Sequence, residues 1–443
     1  MNLTKGAEMN GKHRIVVIGG GLAGLAAAAY AARAGKRVTV LEKAQAPGGR
    51  AATQHRDGFH FNLGPHALYQ GGPATSVLAE LGVTARGALP PASGYALDGD
   101  RLHVLPGGPI SMLTTSLLTL AGKVEIARFM LTMRFLDVAA LARTSTTDLI
   151  AEKVRTPEAR RFLAALFRLS TYTDELDRLS AGAAIVQLRR AVEDGVHYLD
   201  GGWASLVTGL RAAAVTAGAE ILTGAKAEAI ERRAGGVAAV RIADGRRLEA
   251  DRVIIAAAPE TARALCPGVP ALDAWVDSAV PVLASCLDVA LSRLLVPRQR
   301  FVLGVDRPLY FSEHATVAKV APDGGALIHV ARYGRAADTE AVEQELEALL
   351  ERAQPGFRDV LVHRRFLPAM IVAHDLPEAA RGGLAARASS EIPGAPGILL
   401  AGDWVGPEGM LADASLASAR AAARLAVLPL TDRTRLEAAP APG

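Results

Sequence analysis

Two cysteines, Cys266 and Cys286, are all that the 443 residues contain, and they form no C-x-x-C pair. A redox-active dithiol and a cysteine-rich zinc site are thereby excluded. The ten histidines show no metal-ligand spacing, so no metal is expected, and no Ser-His-Asp arrangement is readable. No run of 18 apolar residues occurs, and residues 1–12 are polar where a signal peptide needs an apolar core. The chain is accordingly read as cytoplasmic. Aromatic residues are scarce, at 5%. The basic excess is small, +4 with a pI near 9.1, and arginine is spread along the chain without a Lys/Arg block or interleaved aromatics. Nucleic acid is therefore not an expected partner.

What is present is an apolar chain built on Ala, Leu and Val. Half of its residues are hydrophobic and mean hydropathy is +0.21, which suits an α/β protein with a large core divided between two domains. Residues 14–42 read as strand, glycine turn, Ala-rich helix and second strand. Residues 86–191 are mostly helical by periodicity. Within them, residues 110–141 carry apolar side chains at helical spacing with Lys123, Arg128 and Arg134 interspersed. A domain helix is the preferred reading there, with peripheral membrane contact as the alternative. Strand signals return at residues 220–222, 237–242 and 253–257, with Asp244-Gly245 as a hairpin turn, and several strands alternate with turns over residues 280–333. An acidic helix is expected over residues 339–352, an apolar strand over 397–401 and a small-residue helix over 412–428. No repeat is visible, and the Ala/Pro-rich end from Glu437 reads as disordered.

Gly19, Gly21 and Gly24 spell G-x-G-x-x-G directly after the first strand and at the start of the first helix. In that context the first glycine permits the tight turn, the second lets backbone approach a pyrophosphate and the third lets helix pack on strand. The helix N-terminus, with Leu22 and Ala23 in its first turn, offers unpaired N–H groups to the phosphates. Glu42 ends the second strand 18 residues beyond Gly24, where an acid accepts hydrogen bonds from an adenosine ribose and repels a 2′-phosphate. Lys43 beside it is a further cofactor contact. No second motif of this kind with an acid in phase is present, so no nicotinamide-nucleotide domain is expected.

Pro47-Gly48-Gly49-Arg50 closely follows the acid, and the stretch from Gly19 to Arg50 resembles the flavin amine oxidase and phytoene desaturase superfamily. The resemblance implies FAD as cofactor. It sets Arg50 along the flavin's pyrophosphate and Gly48 and Gly49 where the chain passes close to the cofactor. Phe61-Asn62-Leu63-Gly64-Pro65-His66 resembles the family segment that brings backbone at Gly64 and Pro65 against the isoalloxazine ring, with Asn62 standing where an Asp is frequent. His66 is then a proton donor, cofactor contact or substrate contact, or else a histidine bonded within its loop. Gly201-Gly202-Trp203 and the strands to residue 257 resemble the second FAD-contacting block, in which backbone at Ala227 meets the adenine; plain sheet packing is the alternative. Gly402-Asp403 corresponds to the pair that meets pyrophosphate and ribityl oxygens. The helix opening after Gly409 sets Met410 and Leu411 toward the pyrimidine edge, where a positive helix end stabilises the anion of reduced flavin.

The fold implied is α/β: an FAD-binding Rossmann-type (glutathione-reductase-like) domain over residues 13–85, 195–270 and 386–430, and a discontinuous substrate or cap domain of mixed sheet and helices over 86–194 and 271–385. Residues 1–12 and 431–443 are expected to be disordered. The activity implied is dehydrogenation of a small-molecule substrate, small or isoprenoid-like, by hydride transfer to flavin N5. Gly64-Pro65-His66 and residues 308–333 look more like the phytoene-desaturase branch, so a C=C product ranks ahead of the C=N product of an amine oxidase, which would want an aromatic cage or an acid. Guanine-nucleotide dissociation inhibitors share the fold without flavin catalysis, but Arg50, Asp403 and the three glycines argue against that class. Alternation along residues 327–333 puts His329, Ala331 and Tyr333 on one strand face, which makes His329 and Tyr333 catalytic candidates beside His66, with Tyr310 and His314 further candidates and packing the alternative for each. Electrons would leave to oxygen, a quinone or another external acceptor.

Overall fold

The computed structural model describes residues 13–428; the disordered ends expected at 1–12 and 431–443 lie outside the described residues. Parallel pairing joins Glu220–Leu222, Arg37–Leu41, Arg14–Ile18, Arg252–Ile255 and Ile398–Leu400, in that order, into one five-stranded sheet. Both faces of this sheet are covered, and the central strand shows how. Ile15 and Val17 pack among helices, while Val16 and Ile18 pack toward a three-stranded antiparallel sheet of Ala227–Arg233, Gly236–Ile242 and Arg247–Glu249. The period of two in a strand divides one apolar run between two cores. On the helical side, Leu22–Arg33 lies against Ala204–Thr216 and Leu411–Val427, and its buried alanines keep those contacts close. The C-terminal ends of four parallel strands lead into Gly19, Glu42, Ala256 and Ala401. The crevice for a ligand in an open parallel sheet lies at those ends.

A seven-stranded sheet stands beside this unit, in the order Leu361–Ala373, Val282–Leu291, Ala326–Tyr333, Leu309–Glu313, Phe301–Gly304, Tyr95–Asp98 and Arg101–Val104. One face, carrying Leu287, Val289, Ile328 and Val330, is covered by the acidic helix Thr339–Ala353. The other face presents Ala284, Cys286 and Asp288 in register with Tyr333, Ala331 and His329. One hairpin departs from the sequence reading, and a third strand lies where that reading assigned nothing. Tyr95–Asp98 and Arg101–Val104 form a hairpin inside the stretch expected to be helical, turning at Gly99 with φ +57°; the Asp98-Gly99 pair is a hairpin signal that the surrounding helical periodicity hides. Leu361–Ala373 contains Pro368, which is tolerated because this is an edge strand whose register shifts at bulges.

Helices Pro109–Thr114, Leu120–Thr132, Thr146–Lys153, Pro157–Thr171 and Ala181–Glu193 make a lobe with its own core of Phe129, Phe162, Leu163, Phe167 and Ile185. No described helix is long and apolar enough to cross a membrane.

Candidate functional site

A cavity of about 730 Å³ extends from the ends of the parallel strands to the seven-stranded sheet. Every cofactor-binding candidate from the sequence lines it except Gly24 and Gly64. Those two act behind the lining. A Cβ at Gly24 would come 1.8 Å from the carbonyl oxygen of Gly19, so this glycine closes the helix onto the turn. A Cβ at Gly64 would strike the Met370 side chain at 2.6 Å. Gly21 is different. A Cβ there would meet nothing nearer than the Gly48 oxygen at 3.9 Å and would project into open cavity.

The first helix begins on Gly21 with no side-chain cap and no acid in its first turn. Its leading N–H groups are therefore left for an anion. Glu42, 7% exposed, accepts from the Gly20 amide at 2.7 Å through Oε2 and from the Ala44 amide at 2.8 Å through Oε1. Each carboxylate oxygen keeps a second lone pair for a ribose hydroxyl. Phosphate-sized open space before an uncapped helix, with an acid at the next strand end, fits the adenosine diphosphate half of FAD.

Arg50 and Asp403 form a two-pronged ion pair. Arg50 Nη1 donates to Asp403 Oδ2 at 2.9 Å and Nη2 reaches Oδ1 at 2.8 Å. His374, which the sequence reading did not single out, completes the group: its backbone N–H donates to Oδ2 at 3.0 Å and its Nδ1 lies 2.8 Å from Oδ1. Burial alone would raise the Asp403 carboxyl, but the Arg50 charge and the His374 hydrogen bonds outweigh it and hold the group well below the usual carboxylate range. His374 follows an edge strand with no motif around it, so nothing local marks it.

The C-terminal helix starts in an unusual backbone state. Leu411 has φ +55°, rare for a bulky residue, and together with Met410 it lines the cavity. Asp413 in the same first turn is neutralised by Arg190 Nη1 at 2.7 Å and accepts from the Ala74 amide at 2.8 Å. Asn62 serves as a neutral acceptor, its Oδ1 taking the Trp203 amide at 2.9 Å and the Thr53 hydroxyl at 2.8 Å. The segment carrying Gly64 is thereby tied to Gly202-Trp203. Ala227, at the start of its strand, lines the cavity between Lys226 and the opposite wall.

Beyond the glycine cradle the wall becomes apolar, with Tyr172, Ala284, Ala331, Tyr333, Leu367 and Met370. His66 lines the same cavity. Its Nδ1 lies 3.0 Å from the Gly64 carbonyl, and the Arg50 backbone also bears on the ring. Burial pushes the His66 imidazole down to about 4. Tyr333 is 1% exposed and its hydroxyl has no partner among the described residues. Burial pushes its phenol well up, so it stays protonated. Tyr172, at φ +59° where its helix ends, sets its ring 6.1 Å from that of Tyr333 at an interplanar angle of 89°.

His329 does not line the cavity, although Ala331 and Tyr333 on the same strand face do. It is fully buried, with Nδ1 2.6 Å from Asp288 Oδ1; the same oxygen accepts from the Cys286 thiol at 3.1 Å, and Arg365 pairs with Oδ2. The sheet register thus gathers Cys286, Asp288 and His329, which the sequence leaves scattered, into one cluster with metal-ligand spacing. The lone pairs of Asp288 are already committed to hydrogen bonds. Burial and the Asp288 charge push the Cys286 thiol well up. Tyr310 and His314 also lie outside the cavity lining, His314 stacking on Tyr198 at 3.7 Å between ring centroids.

A dinucleotide cradle opening onto an apolar chamber defines a flavin-dependent oxidoreductase. The chain belongs to the flavin containing amine oxidoreductase family, whose profile matches residues 22–426. Among curated proteins it is similar to a phytoene dehydrogenase of Streptomyces griseus, 52% identical over 54 residues, which are 12% of this chain and 11% of that protein. It is likewise similar to an L-amino-acid oxidase of Naja atra, 49% identical over 61 residues, or 13% of this chain and 12% of that protein. These matches span about a tenth of each relative's length. An oxidoreductase from Methanosarcina mazei shares the fold, with a TM-score of 0.73 and 20% identity covering 92% of this chain and 99% of that one.

Proposed function

We propose that this protein dehydrogenates a neutral, apolar molecule, small or isoprenoid-like, to a C=C product. The observation that carries this reading is the charge distribution of the cavity. Its charged lining residues are Glu42, Lys43, Arg50, Lys226, Asp403 and Asp413. Glu42 holds two backbone amides, Arg50 and Asp403 hold each other, and Asp413 is paired with Arg190. Lys43 and Lys226 adjoin Glu42 and Ala227, at the end suited to adenosine. The wall of Tyr172, Ala284, Ala331, Tyr333, Leu367 and Met370 carries neither a carboxylate for an ammonium group nor a cation for a carboxylate. A charged substrate would be desolvated there without a partner, which is strongly unfavourable.

FAD, when bound, supplies at N5 the acceptor for a hydride equivalent. The chain's own residues position and insulate. Amides of Leu22 and Ala23 and the Arg50 guanidinium would hold the pyrophosphate, Glu42 the ribose, backbone at Ala227 the adenine, and the helix start at Met410-Leu411 the pyrimidine edge. The neutral His66 imidazole, which lines the cavity, would receive the proton that leaves the substrate's second carbon. The electrons pass on to oxygen, a quinone or another diffusing acceptor.

Oxidation of a C–N bond is the second reading, favoured by the crossed rings of Tyr172 and Tyr333, which offer two aromatic faces to a cation. Anaerobic mixing of the oxidised protein with a panel of linear isoprenoids, neutral cyclic metabolites, primary amines and L-amino acids separates the two. Rapid bleaching by the neutral compounds alone is expected; bleaching by amines or amino acids alone would refute the first reading.

A further inference from the structure

The segment 110–135 holds six of the thirteen strongly exposed large apolar side chains among the described residues: Ile110, Leu113, Leu120, Val124, Leu131 and Phe135. Helix Pro109–Thr114 has no buried residue at all, and Ile110 and Leu113 are 79% and 77% exposed. Helix Leu120–Thr132 is apolar on two opposite faces. Gly122, Ile126 and Phe129 are buried on the lobe's core, while Leu120, Val124 and Leu131 are 80%, 61% and 68% exposed. At roughly 100° per residue these three fall within about 40° of one another, opposite the buried face. A second, exposed apolar stripe opposite the buried one is not needed for packing against the lobe and suits contact with another apolar phase. Lys123 Nζ donates to the Leu113 carbonyl at 2.8 Å and so joins the two helices into one patch.

Charge tells what covers it. Lys123 and Arg128 fall on the two flanks of the stripe, roughly 60–80° to either side. The Arg134 guanidinium lies 4.7 Å above the Phe135 ring. The nearby acids are engaged locally: Glu125 accepts from the Arg155 and Thr156 amides, Asp137 from the Ala139 and Ala140 amides and Glu158 from the Thr119 hydroxyl, while Arg128 uses one Nη on the Lys153 carbonyl and keeps its other donors. Apolar side chains framed by long cations match an anionic bilayer surface, the aliphatic groups entering the acyl boundary while the ammonium and guanidinium groups reach phosphates. A second copy of the chain fits worse, because a two-fold contact on this stripe would set Lys123 and Arg128 of one copy against like charges of the other.

We propose that residues 110–135 dock the protein on anionic membrane surfaces. The docking face stands apart from the reaction proposed above, since vesicle binding is read without turnover. The test is co-sedimentation of the full FAD-loaded chain with phosphatidylcholine vesicles and with equimolar phosphatidylcholine–phosphatidylglycerol vesicles at low and high salt. The protein is expected to pellet with the anionic vesicles. The triple substitution Leu120→Gln, Val124→Gln, Leu131→Gln should lower the partition coefficient at least about tenfold, and Lys123→Gln or Arg128→Gln about fivefold each on anionic vesicles only. Unchanged flavin absorbance and melting temperature certify that the variants are folded. Failure of the parent protein to pellet with anionic vesicles at low salt, or equal pelleting of the triple variant, overturns the proposal. So does a dimer in sedimentation velocity that the triple variant dissolves while neither protein binds vesicles.

Discussion

Arg50 and Asp403 meet through one hydrogen bond and a second ion-pair contact although they lie 353 positions apart in the chain. The pair joins the loop after the second parallel strand to the end of the last one, and so fixes the mouth of the cofactor cavity. Asp403 is 1% exposed, and a buried carboxylate of this kind is held only by its partners. Asp403→Ala should destabilise the protein by about 1–3 kcal/mol, because the His374 amide loses its acceptor while the partly exposed Arg50 keeps solvent and the Val372 carbonyl. The folded-state carboxyl is depressed, so the contribution is present above pH 3.8, the unfolded value, and is lost as pH falls below it. Urea unfolding at neutral pH checks this; a midpoint equal to that of the parent would contradict it.

The glycines of the cradle should separate by phenotype. Gly24→Ala sets a methyl 1.8 Å from a backbone oxygen and should prevent stable folding. Gly21→Val places its side chain in open cavity and should yield a folded, colourless protein, since each charge-assisted bond lost to the pyrophosphate removes roughly 1.5–3 kcal/mol. Circular dichroism and flavin content measured together distinguish the two. Full FAD occupancy in Gly21→Val would refute the placement of the pyrophosphate.

His66 should act as a neutral acceptor through most of the pH range. Its imidazole, lowered from 6.5 to about 4, accepts a proton only when unprotonated, so the acid limb of substrate-driven flavin reduction should fall near pH 4. The same depression means that stability is present above pH 6.5 and declines as pH falls toward 4. His66→Gln should slow reduction by about 10²–10⁴-fold without loss of FAD. An acid limb at or above 6.5, or an unaffected rate in the variant, would remove His66 from proton transfer.

Tyr333→Phe should leave the fold unchanged or up to about 1 kcal/mol more stable, because the hydroxyl removed is buried and unpartnered. Substrates carrying an oxygen acceptor should bind the variant more weakly, while pure hydrocarbons should not. Melting curves and KM values for paired substrates test this. Marked destabilisation would indicate a structural partner for the hydroxyl instead.

Local chemistry made the cofactor half of the site legible. A glycine cradle, an acid at the next strand end and an arginine shortly after it are all consequences of one strand-turn-helix-strand, so their spacing is written in consecutive residues. The rest depends on pairing across long separations. His374 reaches Asp403 from just beyond an edge strand that its proline and charges disguise. His329 shares a strand face with Tyr333, yet the register sets it opposite Asp288, outside the cavity lining, while Tyr333 pairs with Ala284 on the wall. Alternation assigns a face to a residue; only the neighbouring strand decides what that face meets. The exposed stripe at residues 120–131 illustrates the same limit, since periodicity finds two apolar faces without saying which one is covered.

One FAD is expected to be held, without a covalent bond, between the Gly19–Arg50 turn and the Gly402–Leu411 segment. Acid precipitation of the purified chain after incubation with FAD, followed by quantitation of flavin in supernatant and pellet, tests it most directly. Equimolar FAD released to the supernatant is the expected result. A chain that stays colourless after incubation, or flavin that remains in the protein pellet, would contradict it.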